Sequence, residues 1–134
     1  MKKIIALLLC LGLVGCITYA DIVRTRNREN LMKLSIGMEK TQVVNIMGVE
    51  TKKAWTPYKG GRATILINNP YRSEILQSKD KTFEVLYYLT DDKTGNGIIT
   101  DDCLLPLVFE NGKLIGWGWS FLQDNVQKYE LRIR

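Results

Sequence analysis

Phe109-Glu110-Asn111-Gly112-Lys113-Leu114 is the stretch that decides the architecture of this chain. Asn-Gly is the preferred pair for a two-residue type I′ turn, because both positions need positive φ. That turn sets Glu110 opposite Lys113, Phe109 opposite Leu114 and Val108 opposite Ile115. Leu107, Phe109 and Leu114 then share one face, assigned to the core. Val108, Ile115 and Trp117 share the other, which is apolar too. Pro106 marks the strand entrance or an edge irregularity.

Working outward, residues 82–90 form a second strand rich in β-formers: Phe83, Val85, Leu86, Tyr87 and Tyr88. Residues 52–56 and 63–68 are further strand candidates. Residues 69–81, with Pro70 and several charges, read as a long surface excursion. Upstream, residues 29–34 suggest a short helix, and Ser35-Ile36-Gly37-Met38 breaks it. A second helix is expected from about Glu39 to Met47, with Val43, Ile46 and Met47 as one buried stripe. Gly48 stands where a helix C-cap favours glycine. The expected fold is α+β: a helical hairpin packed on a three- to four-stranded antiparallel sheet. Beyond Trp119 the tail reads either as a helix over 120–128 or as a last strand over 129–133, with Leu131 and Ile133 alternating against charges.

The amino terminus carries different information. Lys2-Lys3, an apolar run from Ile4 to Val14 and small residues before Cys16 are the parts of a secretory signal. The run is too short for a permanent membrane span, which needs about 20 residues. Leu13-Val14-Gly15-Cys16 resembles the bacterial lipobox, which implies cleavage before Cys16 and a diacylglycerol thioether on its sulfur. The organisation expected is a signal peptide over 1–15, an anchor and tether over 16–28, and one domain over 29–134. Arg24, Arg26 and Arg28 then either hold the tether near anionic lipid, each at about 1 kcal/mol, or belong to a solvated spacer. Ile17 is not the aspartate associated with inner-membrane retention, so the sorting analogy favours the periplasmic face of the outer membrane.

Composition narrows the chemistry. Losing Lys2 and Lys3 takes the formal charge from +5 to +3, which weakens a nucleic-acid reading. Of three cysteines, Cys10 leaves with the signal and Cys16 is acylated, so Cys103 has no partner for an intramolecular disulfide. The sequence contains no histidine, which removes Ser-His, Cys-His and His-metal chemistry together. Neither an enzyme nor a cofactor is expected.

Asp92-Lys93-Thr94-Gly95-Asn96-Gly97-Ile98 partly matches a calcium loop, with Asp92 first, Asn96 fifth and Gly97 sixth. Thr94 and Cys103 fall where acidic ligands belong, so a polar connection is the reading. Cys103 lacks a cationic neighbour and reads as a small, half-buried strand residue. Asp91-Asp92 and Asp101-Asp102 read as loop acids. Gly116-Trp117-Gly118-Trp119 places both tryptophans on one side of a strand and leaves the other side bare for close approach. Val108, Ile115, Trp117 and Trp119 form a candidate interaction patch. The competing reading has the tail from Ser120 fold back over them.

Leu34-Ser35-Ile36-Gly37-Met38, Gln42-Val43 and Gly48 resemble the opening helical hairpin of the SmpA/OmlA group, the BamE-like lipoproteins. Phe83–Leu89 and Leu107–Leu114 fall where that family has later strands. Asp101-Asp102-Cys103, Pro106-Leu107-Val108-Phe109 and Gly116-Trp117-Gly118 are similar to a related set of small lipoproteins of unknown function. The resemblance implies an ααβββ domain that supports outer-membrane assembly through protein and phospholipid contacts. It differs here in the residues between Gly48 and Thr82, the Trp pair and the tail. The expected partners are membrane lipid, through the acylated cysteine, and an envelope protein. A phospholipid- or small-ligand-binding module is the alternative.

Overall fold

The computed structural model describes residues 18–58, 60–95, 97–129 and 132–133. Two helices, α1 (Tyr19–Leu31) and α2 (Lys40–Met47), precede a ribbon of β1 (Glu50–Tyr58) and β2 (Gly61–Asn69). Strands β3 (Arg72–Gln77), β4 (Thr82–Leu89), β5 (Leu104–Glu110) and β6 (Lys113–Trp117) follow. Helix α3 (Trp119–Tyr129) and the two-residue β7 (Arg132–Ile133) complete the order. Among the described residues the ribbon pairs only with itself, and the main sheet runs β6-β5-β4-β3-β7, antiparallel throughout. The class is α+β, with four full strands in the main sheet and β7 as a short addition.

Asn111 and Gly112 have φ of 50° and 76°, both positive as a type I′ turn requires. Glu110 pairs with Lys113 and Phe109 with Leu114 as expected, but Val108 then pairs with Gly116 instead of Ile115. A β-bulge inserts one residue there. Its physical reason lies across the sheet face: a Cβ on Gly116 would sit 2.5 Å from Cζ of Phe121 in α3. Only glycine lets the helix lie so close.

Both sheet faces are buried. On one, Val43 and Met47 of α2 and Leu34 pack on Leu86, Tyr88, Leu107, Phe109 and Leu114, with Ile46 at the margin. This is the stripe and the face the sequence indicates. The opposite face carries Phe83, Val85, Tyr87, Leu89 and Val108, and is covered by Val23 of α1, Ala54 and Ile67 of the ribbon, and Leu122 of α3.

Three expectations need correction. Helix α1 begins at Tyr19, so most of the expected tether is helical and packed on the core. Thr18 starts it with a capping box: its hydroxyl and amide engage Asp21, holding that carboxyl below its ordinary range. The inward stripe of α1 is Val23, Asn27 and Asn30, mostly polar, which hides the helical period. Residues 69–81 contain β3, concealed because this strand near the sheet edge alternates half-buried charges with exposed residues and buries only Leu76. The strands expected near 52–56 and 63–68 are present but build the separate ribbon, where Ala54, Ile65 and Ile67 face the core. The tail, open between helix and strand, contains both.

Candidate functional site

Cys16 lies outside the described residues. The four patch residues do not form one exposed surface. Gly118, at φ 92°, ends β6 and turns the chain, so Trp119 opens α3 rather than continuing the strand. Two-residue spacing keeps side chains on one side only while a strand continues. Val108 is buried, and Ile115 and Trp119 are half-buried on the face that α3 covers. Trp117, opposite Leu107, remains 37% exposed. The bare side left by Gly116 does receive a helix, through Phe121.

A cleft of about 410 Å³ opens between α3 and strands β3 and β4. Its α3 wall is Trp119, Leu122 and Val126, spaced at i, i+3 and i+7 along one helix face. Its floor is Leu76 and Tyr87, both buried. Antiparallel register brings Arg72 opposite Tyr87 and Glu74 opposite Val85, on the same face as Leu76.

Arg72, Glu74, Asp101 and Tyr87 at its mouth are bonded to one another. The Arg72 guanidinium engages Glu74 Oε1 and, at 3.1 Å, Asp101 Oδ1, and stacks 3.8 Å from the Tyr87 ring centroid. The Tyr87 hydroxyl donates to Glu74 Oε2 at 2.8 Å. Burial raises the Tyr87 hydroxyl above the ordinary tyrosine range; Arg72 opposes this and Asp101 reinforces it. The Trp119 ring lies 5.7 Å from that of Tyr87, and its Nε1 donates to Leu104 O at 2.8 Å. Groups held in this way give shape and orientation to the mouth of the cleft.

The remaining sequence candidates are placed elsewhere. Asp92 accepts from Gly95 N at 2.9 Å and lies 3.6 Å from Arg24, so its carboxylate organises the loop and the start of α1. Asp102 accepts from the Thr100 hydroxyl, and Asp91 pairs with Lys93 at 2.5 Å. Cys103, expected as a half-buried strand residue, is instead fully buried and closes a 3-10 turn, Asp101–Cys103, just ahead of β5. Among the described residues, no three His, Cys, Asp or Glu side chains gather as metal ligands. Sequence reasoning missed Arg72, Glu74 and Tyr87. The available signal was the alternation Arg72-x-Glu74-x-Leu76 just after Pro70, which is the pattern of a half-buried strand.

No curated protein and no solved structure matches the chain. A family model described as "Protein of unknown function (DUF3192)" matches residues 20–124, from the start of α1 into α3, and includes the Arg72, Glu74, Tyr87, Asp101 and Trp119 of the cleft. The chain belongs to this DUF3192 family.

Proposed function

We propose that this chain is a non-enzymatic, lipid-anchored envelope protein that acts as a protein-interaction or scaffolding module, with a role in outer-membrane assembly or maintenance. The observation that carries the reading is the cleft beside α3: an apolar floor under a mouth where Arg72, Glu74, Asp101 and Tyr87 are held together by ion pairs and a hydrogen bond. Such a surface offers apolar contact and a fixed polar frame, which suits recognition better than chemistry. A helical hairpin ahead of an antiparallel sheet supports a BamE-like arrangement, to which the ribbon and α3 are additions. The lipobox at residues 13–16 supports the anchor and the periplasmic face of the outer membrane as its place.

Radiolabelled palmitate tests the anchor. Label is expected on the wild type and absent from Cys16→Ser, which should leave the membrane fraction. A Cys16→Ser protein that matures and localises unchanged contradicts the reading.

A second reading, direct contact with phospholipid, is favoured by the ribbon. Trp55 and Leu66 are 65% and 58% exposed, and pairing of Lys53 with Leu66 and of Trp55 with Thr64 puts all of them on its outer face. Tryptophan with lysine is the side-chain pairing of membrane interfaces. Flotation of unlipidated protein with anionic vesicles, lost on Trp55→Ala, supports this reading. Equal recovery with and without vesicles rejects it.

A further inference from the structure

The five-stranded sheet has two outer edges, and the chain treats them differently. Along β6, the connection between α1 and α2 closes the turn end. Lys40 N donates to Gly112 O at 2.7 Å, Leu114 N to Met38 O at 2.9 Å and Gly37 N to Leu114 O at 2.8 Å. Along β3, the outermost strand β7 covers two positions only: Leu76 opposite Ile133 and Gln77 opposite Arg132. Among the described residues, no strand lies beside residues 72–75 on that edge. An open edge is a row of backbone donors and acceptors, ready for another extended chain.

The side chains along this stretch line clefts on both faces of the sheet. Arg72 and Glu74 border the cleft under α3. Ser73, Ile75, Gln77 and Thr82, of the opposite face, line a second cleft of about 530 Å³ together with Glu74 at the strand edge. There Ile75 is 51% exposed, because α2 packs over β4, β5 and β6 and stops short of β3. A strand laid on this edge would present alternate side chains to the two faces. One short peptide would therefore fill both clefts while its backbone continued the ladder. Backbone pairing with alternating pockets is the mode of peptide recognition by strand addition.

The chemistry of the occupant follows from the edge itself. The strand already accepted there lies within Leu131-Arg132-Ile133-Arg134, a sequence that alternates apolar and basic residues. On the α3 side, Glu74 and Asp101 share the single cation of Arg72, which leaves that cluster one negative charge in excess.

We propose that the outer edge of β3 at residues 72–75 is a strand-accepting site for an extended segment of a partner protein that alternates apolar and basic residues. The assignment rests on the interaction-module reading and specifies how that module makes contact.

The test is a selection of displayed random heptapeptides on the purified full-length protein, followed by synthetic peptides of the selected sequences. Selected peptides are expected to alternate apolar and basic residues and to slow amide exchange at residues 72–75. N-methylation at alternate peptide positions should weaken binding by about tenfold or more, the loss of one or two backbone hydrogen bonds. Methylation at the intervening positions should leave it within about twofold. Peptides that slow exchange elsewhere, or that tolerate methylation at every position, overturn the edge assignment and leave the interaction-module reading intact. Concentration-dependent self-association that protects residues 72–75 without peptide overturns it in favour of a second copy of this chain. Failure of the broader reading shows separately, as the absence of a discrete crosslinked partner at the α3 cleft in intact cells.

Discussion

Asn27 and Asn69, 42 residues apart in sequence, meet in the interior with Asn27 Nδ2 donating to Asn69 Oδ1 at 2.9 Å. Asn27 Nδ2 also donates to Leu89 O at 2.8 Å, and Asn69 Nδ2 to Met47 O at 3.0 Å. Two side chains thus tie α1, the end of α2, the end of the ribbon and the end of β4. Replacing either one leaves buried partners unsatisfied, at about 1–3 kcal/mol. Asn69→Ala and Asn27→Ala should each lower stability in urea unfolding by that amount. The double variant should lose less than the sum, because the two share one network. Strict additivity would show that the pair is not coupled.

The contact between Gly116 and Phe121 makes a reciprocal test. Gly116→Ala drives a methyl into the Phe121 ring at 2.5 Å. Overpacking of this kind costs about 1–3 kcal/mol. Phe121→Leu in the same chain should restore part of the loss. Destabilisation that Phe121→Leu leaves untouched would argue that α3 does not rest on this glycine.

These positions also mark what could be read from the sequence. The Asn111-Gly112 turn, the Val43–Met47 stripe and the face of Leu107, Phe109 and Leu114 were legible because pattern and packing agree there. Helix α1 was not, because Asn27 and Asn30 occupy its inward face where apolar residues normally reveal the period. The bulge at Val108 was invisible because no residue of the turn announces it: Gly116, which it sets opposite Val108, packs under Phe121 of α3. The cleft depends on Arg72, Tyr87, Asp101 and Trp119 converging from separate elements, and only tertiary structure brings those together.

Tyr88 gives a pH test. It is fully buried, makes no hydrogen bond through its hydroxyl among the described residues, and burial pushes its pKa up to about 12. The folded state therefore holds the neutral phenol, while the unfolded chain ionises near pH 10. Stability linked to this group is intact below pH 10 and falls as pH rises toward 12. Tyr88→Phe should flatten that alkaline loss and be neutral or stabilising by about 1 kcal/mol at pH 8, since no bond is broken. Unfolding curves at pH 8 and pH 11 check both statements; an unchanged alkaline slope contradicts them.

The three tryptophans report on the placement of α3. Trp55 is 65% exposed, Trp117 is 37% exposed, and Trp119 is held by Leu104 O and the Tyr87 ring. Acrylamide quenching of single-tryptophan variants should follow that order, with Trp119 the most protected. Trp119 quenched as readily as Trp55 would mean that α3 does not cover the sheet in solution.

Contact through the α3 cleft from a membrane-held position is tested most directly by photo-crosslinking in intact cells. A crosslinking residue is placed at Gln123, on the cleft wall, and as a control at Thr41, exposed on α2. The account expects a discrete adduct with another envelope protein from position 123, none from position 41, and loss of the adduct when Cys16→Ser is combined with it. Equal adducts from both positions, or none from position 123 in the anchored protein, would contradict it.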